Sequence, residues 1–457
     1  MSKIEHIEKF DSLNIGREKI NKFAIDPANR AEEKSDNAVS IAITSNDKSD
    51  ASLAQVENVQ QQINTLVVEG DSSFEAAQAR IAEDGQEYDT LKERLDLHNN
   101  NFDIADDFKV GGDVPIYLKS ELETFKNKIN TDHFNLAIST DLHYDAGRQN
   151  YKLSDKMLPH LSNLISLDGI ADSLLLGGDN IDGYQINKIN NLKNMEIVAN
   201  KIFYETNQSD VFLLRGNHDD GSVRSKKPAE IINDSEFKKV FKTIEKFNNE
   251  MRDGDSLYFY KDYPDKKIRL IGLDSVDAPN TLDSDGNVIY QKQYYCGYQS
   301  QQLEWLANVA LQNVPTDYHT MIVTHVHLAL NDRDNGNGTF EYHPNHAQLI
   351  NIIETFKKGE STLVYSNLTG YQCNFTADFT TQGPRTFIAF VNGHVHQDAI
   401  NDVGTFKNVW LDCAITRFDV DYGTTKEDSI NVISVDTTNR LVNVLGFGRS
   451  VDRQFKY

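Results

Sequence analysis

Five short clusters of carboxylate, imidazole and amide side chains punctuate the chain after residue 140. They are Asp141-Leu-His143, Gly178-Asp179-Asn-Ile-Asp182, Gly216-Asn217-His218-Asp219, Thr324-His325-Val-His327 and Gly393-His394-Val-His396. Oxygen and nitrogen donors without thiolate suit Mn²⁺, Fe or Zn²⁺ rather than a soft metal. Two such cations about 3.5–4 Å apart can polarise phosphoryl oxygens and lower the pKa of a water between them, so no protein nucleophile is needed. The three cysteines, Cys296, Cys373 and Cys413, are odd in number and lack CxxC spacing. They make neither a disulfide framework nor a cysteine zinc site, and are read as reduced core thiols.

Each cluster directly follows a short apolar run, at 134–139, 173–176, 211–214, 321–324 and 386–391. Between the first two, Leu158, Leu161, Leu164 and Ile165 recur at helical spacing. Strand–helix–strand order implies parallel strands, and an open α/β sheet gathers its ligands at the carboxyl ends of those strands. Asp141 to Asp179 and Asp179 to Asn217 are both 38 residues, enough for one such unit each. Glycines before Asp179, Asn217 and His394 allow sharp turns and close approach of backbone to an anion. Further strands are expected at 257–260, 268–273 and 409–415, with a late hairpin of 430–436 and 440–447. The Asn- and Gly-rich stretch 330–346 reads as a long structureless loop or lid. His343 and His346 within it are taken as lid or surface residues, and Trp305 as core.

The five clusters, in this order, resemble the calcineurin-like metallophosphoesterase family, whose pattern runs DxH, GDxxD, GNHD, a single His and GHxH. The resemblance spans roughly residues 133–450. It implies an α/β fold, a four-layer α/β/β/α sandwich with two mixed sheets, and a metal-dependent phosphoester hydrolase with phosphodiesters favoured. Two divalent metal ions are implied, one on Asp141, His143, Asp179 and His396, the other on Asp179, Asn217, His325 and His394, with Asp179 bridging. By the same resemblance His218 stabilises the transition state or protonates the leaving oxygen, and Asp182 orients its imidazole as a carboxylate–histidine pair. Three further residues are candidates for substrate contact. Tyr144 and Arg148 follow the first cluster, where an arginine could pair with a phosphate oxygen, and His327 shares a strand face with His325.

At 457 residues the chain is long enough for two or three domains. Its net charge of −23 argues against unaided binding to nucleic acid or anionic membranes. No apolar run approaches the roughly 18 residues of a membrane span, and the N-terminus lacks a signal-peptide core. Synthesis in the cytosol without a classical secretion signal is therefore expected.

Residues 1–130 hold 15 Lys and Arg against 26 Asp and Glu, a more acidic balance per residue than the rest. They divide into a terminal attachment segment, 1–50, and a helical stem, 51–130, ahead of a catalytic domain at 131–457. Val56, Val59, Ile63 and Leu66 form a short a/d seam, and a helix near 116–129 leads into the catalytic domain. The segment from Val67-Val-Glu-Gly-Asp to Leu91-Lys-Glu-Arg-Leu-Asp96 resembles one found in tail and baseplate proteins of phages and prophages of Gram-positive bacteria. That resemblance implies location in a virion tail, contact with other tail proteins through residues 1–130 and a homo-oligomer, with a trimer favoured. The substrate it implies is a host cell-wall phosphopolymer such as teichoic acid. Two other readings remain open: a structural tail protein that uses the fold to bind a host glycopolymer, or a cytoplasmic nucleotide phosphodiesterase.

Overall fold

Six consecutive buried residues, Phe134–Ser139, form β1, and the unbroken burial marks a strand covered on both faces. β2 (Ser173–Leu176) and β3 (Asp210–Leu213) run parallel beside it. On its other side lies β14 (Ser429–Asp436), antiparallel, followed outward by β15 (Leu441–Gly448) and β16 (Arg453–Lys456). A second six-stranded sheet is built around β5 (Ile268–Gly272), β6 (His319–Thr324), β11 (Thr386–Asn392) and β13 (Phe406–Trp410), all parallel. Antiparallel β4 (Phe259–Tyr263) and β12 (Ala399–Val403) close its two edges. These elements belong to a computed structural model that describes residues 113–336 and 339–457. The attachment segment and the coiled-coil part of the stem lie outside the described residues.

The two sheets face each other across a core of Phe134, Leu136 and Ile138 from the first and Leu270, Met321 and Val391 from the second. Phe212 of β3 stacks on Phe259 of β4 across this interface, ring centroids 4.1 Å apart. α2 (Leu158–Ile165) and α3 (Lys188–Glu205) cover the outer face of the first sheet. α5 (Ser300–Trp305) and α6 (His346–Lys358) cover the outer face of the second, and Trp305 is buried there. The result is the four-layer α/β/β/α sandwich.

Three expectations change. β13 ends at Trp410, and residues 411–415 instead cross to the first sheet, where Ala414 N–H donates to Thr140 O (2.7 Å) and Ile415 N–H to Asp141 O (3.0 Å). The stretch 330–346 is not structureless, because β7 (Arg333–Asp334) pairs with β8 (Phe340–Glu341) and both histidines of the stretch are buried. The catalytic unit also begins before residue 131. α1 (Lys119–Lys126) inserts Leu122 and Phe125 into the core under the first sheet, where Phe125 meets Phe447 of β15 at 5.6 Å.

Truncating a buried Phe removes its transfer energy and leaves a cavity, costing about 3–5 kcal/mol. Phe125→Ala in the full chain is therefore expected to lower stability of the catalytic unit by about that amount in urea unfolding. An unchanged midpoint would place α1 outside the core.

Candidate metal centre

The ligand clusters sit on the turns that leave β1, β2, β3, β6 and β11, so both sheets aim side chains at one spot. These turns are held in conformations that L-residues seldom adopt. Of the thirteen non-glycine residues with positive φ among the described residues, five are Asp141, His143, Asp179, His394 and His396. Such backbone costs about 1–3 kcal/mol per residue and persists where the surroundings over-determine it. Glycine supplies the room. A Cβ on Gly216 would lie 2.1 Å from both the amide nitrogen and Oδ1 of Asp179, and Gly178, at φ +94, packs against the His325 ring.

Asp141 Oδ2 accepts from Thr140 Oγ1 (2.8 Å) and from the His394 amide (2.9 Å), which leaves Oδ1 facing His396 Nε2 at 3.1 Å. His143 Nε2 meets His396 Nε2 at 3.3 Å. Two imidazole nitrogens and a carboxylate oxygen thus converge on one point, and only protons or a cation can relieve that convergence. At a second point His325 Nε2 lies 3.2 Å from Asn217 Oδ1 and His394 Nδ1 lies 2.9 Å from the same oxygen. Asp179 stands between the two. Its Oδ1 accepts the His218 amide (2.8 Å), while Oδ2 is 3.7 Å from His143 Nε2 and 3.3 Å from His325 Nε2.

Neighbouring acceptors select the tautomers. His325 Nδ1 faces Gly177 O at 2.9 Å, so Nδ1 keeps its proton and Nε2 is the nitrogen that a cation would take. Arg215, buried beside the Asn217 turn, forks onto Asp274 beyond β5 and also reaches Asp234, tying the first sheet to the second.

The charges are mutually dependent. Burial alone would push the Asp141 and Asp179 carboxyls up, but the facing imidazoles hold both well below the usual carboxylate range. Burial likewise pushes His325 down, yet Asp179 and Asp141 raise it to about 9, and Asp141 raises His396 to about 11. Asp219 is pushed up to about 7 by burial and by Asp179. It accepts from the Gly216 and Ile181 amides (2.7 and 3.0 Å) and from Asn180 Nδ2 (2.9 Å), fastening the third cluster to the second.

All seven candidate ligands are therefore brought together, in two groups that share Asp179. Asp182 differs from expectation. His218 Nδ1 meets the backbone carbonyl of Asp182 at 2.9 Å, whereas the carboxylate lies 3.5 Å from His143 Nδ1 and accepts from Asn150 Nδ2 (3.2 Å). A carbonyl fixes the proton of His218 as well as a carboxylate would, and the acid is spent on a ligand instead.

Arg148 pairs with Asp155 at 3.0 Å, and Tyr144 is buried with its phenol pushed up by burial and by the same Asp155. Among the described residues no hydrogen bond, ion pair or ring contact joins either side chain to the seven ligands. His327 is half-buried against His394, its ring nearly parallel at 5.8 Å, with Trp410 at 5.3 Å. Burial pushes it down to about 3, so it is neutral.

Sequence reasoning missed Tyr151, whose ring lies 5.2 Å from His143, and Tyr184, 5.9 Å from His218. It also missed Glu341, which accepts from His394 Nε2 at 3.0 Å. The alternation Phe340-Glu-Tyr-His343 carried that signal, since a two-residue period puts Glu341 and His343 on one side of a strand.

The family model for calcineurin-like phosphoesterases matches residues 134–398. The chain belongs to the calcineurin-like phosphoesterase family. A dimetal phosphatase from Danio rerio is similar in structure, with a TM-score of 0.47 and 13% identity, covering 71% of this chain and 99% of its own. A phosphopantetheinyl hydrolase from Mycobacterium tuberculosis is similar at a TM-score of 0.29 and 13% identity, covering 62% of this chain and 91% of its own. No curated protein sequence was found to match. As a calcineurin-like phosphoesterase the chain is a metal-dependent phosphoester hydrolase, and the donor set fits divalent cations. Such cations would supply charge for phosphoryl oxygens and a lowered pKa for water. The residues themselves hold the donors rigid, and His218, 15% exposed, has Nδ1 on the Asp182 carbonyl and Nε2 4.0 Å from Asp179 Oδ2.

A cation entering this pocket displaces protons that the carboxylates hold on His325 and His396. Mn²⁺ loading is therefore expected to release protons and to tighten as pH rises from 6 towards 9, a sign that titration at constant pH would check. Gly216→Ala should abolish loading, measured as bound metal after gel filtration, while far-UV circular dichroism stays near wild type. Retention of two ions would show that the close approach to Asp179 is not required.

Proposed function

We propose that this phosphoesterase cleaves phosphodiesters, and that its substrate is a phosphate-containing cell-surface polymer such as teichoic acid, met by an oligomeric, tail-borne form of the chain. The observation that carries the diester reading is the make-up of the charges at the centre. Among the described residues the ion-pair partners of Asp141, Asp179 and Asp182 are all histidines, and no lysine or arginine pairs with them. Arg148, the arginine best placed in sequence to clamp a terminal phosphate, is committed to Asp155. A monoester brings up to two negative charges and gains most from such a clamp, whereas a diester brings one. His218 then suits the remaining task, donating from Nε2 to an alkoxide leaving group while Asp182 O holds Nδ1.

The polymer and the tail location rest on the resemblance of residues 67–96, and on the acidic, helically patterned 1–130 region that would join other tail proteins as a trimer. A polyanion is compatible with a chain of net charge −23, because bound cations supply local positive charge at the site of reaction.

With Mn²⁺ added, bis-p-nitrophenyl phosphate is expected to turn over faster than p-nitrophenyl phosphate, and purified teichoic acid to be shortened. The reverse order of the two esters would sink the diester reading, and inertness towards teichoic acid would sink the polymer. His218→Asn should lower kcat by about 10²–10⁴ with metal content unchanged.

A further inference from the structure

We infer that Glu341 is a positioning residue for the second metal position, its carboxylate holding His394 in the one tautomer that leaves Nδ1 free for a cation. The two ring nitrogens of His394 face different partners. Nδ1 points at Asn217 Oδ1, 2.9 Å away among the candidate ligands, and Nε2 points at Glu341 Oε1 at 3.0 Å. A carboxylate can only accept, so Nε2 keeps its proton, and Nδ1 on the Asn217 side is the nitrogen a cation would take.

Glu341 itself is buried and held from behind. His343 Nε2 reaches the same oxygen at 2.8 Å, and His343 Nδ1 faces Asn331 O at 3.1 Å. His343 therefore meets an acceptor at each nitrogen, and its Nε2 fixes the Glu341 carboxylate from the side away from His394.

The strand that carries Glu341 is anchored independently of the ligands. Tyr342 N–H donates to Tyr294 O (2.7 Å), Cys296 N–H donates to Tyr342 O (2.8 Å), and Asn345 Nδ2 bridges Tyr298 O and Tyr371 O at 2.8 and 2.9 Å. The insertion at 330–346 thus delivers a fixed anion to one ligand of one metal position. None of the five clusters that define the family includes it.

This inference rests on the reading of two metal positions, and the test separates the two. Mn²⁺ is titrated into the full-length protein by calorimetry, with electron paramagnetic resonance reporting the coupled ion pair. Wild type should bind two ions. Glu341→Gln should bind the first within about twofold of wild type and the second about 10–100-fold more weakly, so the coupled signal fades while a single-ion signal remains. His343→Gln should shift the second ion in the same direction by less. Unchanged affinities in Glu341→Gln overturn the proposal. So does equal weakening of both ions, which is what a merely structural role would give. A third ion lost from Glu341→Gln while two remain would make Glu341 a ligand and also overturn it. Should Glu341→Gln fail to fold, His343→Gln decides, and unaltered binding of its second ion counts against the proposal. Fewer than two ions in wild type would overturn the two-metal reading itself.

Discussion

Two carboxylates buried side by side, Asp141 and Asp179, set the terms for the rest of this structure. An ionised carboxylate removed from water costs several kcal/mol or more unless it is paired and hydrogen-bonded. Here each has one oxygen satisfied by neighbouring donors and one turned towards imidazoles. That arrangement needs the backbone to come closer than a side chain at Gly216 would permit, and it needs ligand residues to sit at positive φ. The strain, the glycines and the dense histidine shell are consequences of keeping two negative charges in place.

The same demand explains the double sheet. One sheet contributes Asp141, His143, Asp179 and Asn217, and the other contributes His325, His394 and His396. Neither half holds a complete set. The apolar layer between the sheets fixes how the two sets of turns meet, and Arg215 ties one to the other through Asp274. A shift of one sheet against the other would therefore separate ligands before it exposed much core.

Much of this was legible in the sequence, because each ligand follows its strand directly. β1 and β2 occupy the expected residues, and the seven candidate ligands converge as their positions after strands suggested. What was not legible depended on choices local sequence leaves open. Whether Asp182 offers His218 a carboxylate or a carbonyl turns on side-chain direction within a tight turn. Arg148 looked like a phosphate contact because it follows the first cluster, yet Asp155, seven residues further on, is its partner. Residues 330–346 read as loop because Asn, Gly and Asp dominate, and those residues concealed a two-residue hairpin that buries Glu341. The helix at 119–126 looked like stem because its apolar residues are few, and those few are the ones the core takes up.

β1 carries the first ligands, but its antiparallel neighbour is β14, with Phe134 opposite Val435. Nearly the whole described chain is synthesised between these two partners, so the central strand of the first sheet waits for the last ones to emerge. Contacts of such long sequence separation form late and slowly. A nascent chain can offer Asp141 and His143 early, but it has nothing to close around them. The donors nonetheless come from the turns after β1, β2, β3, β6 and β11, so the set is incomplete until His396 has emerged, and a shorter nascent chain has fewer groups with which to hold a metal ion.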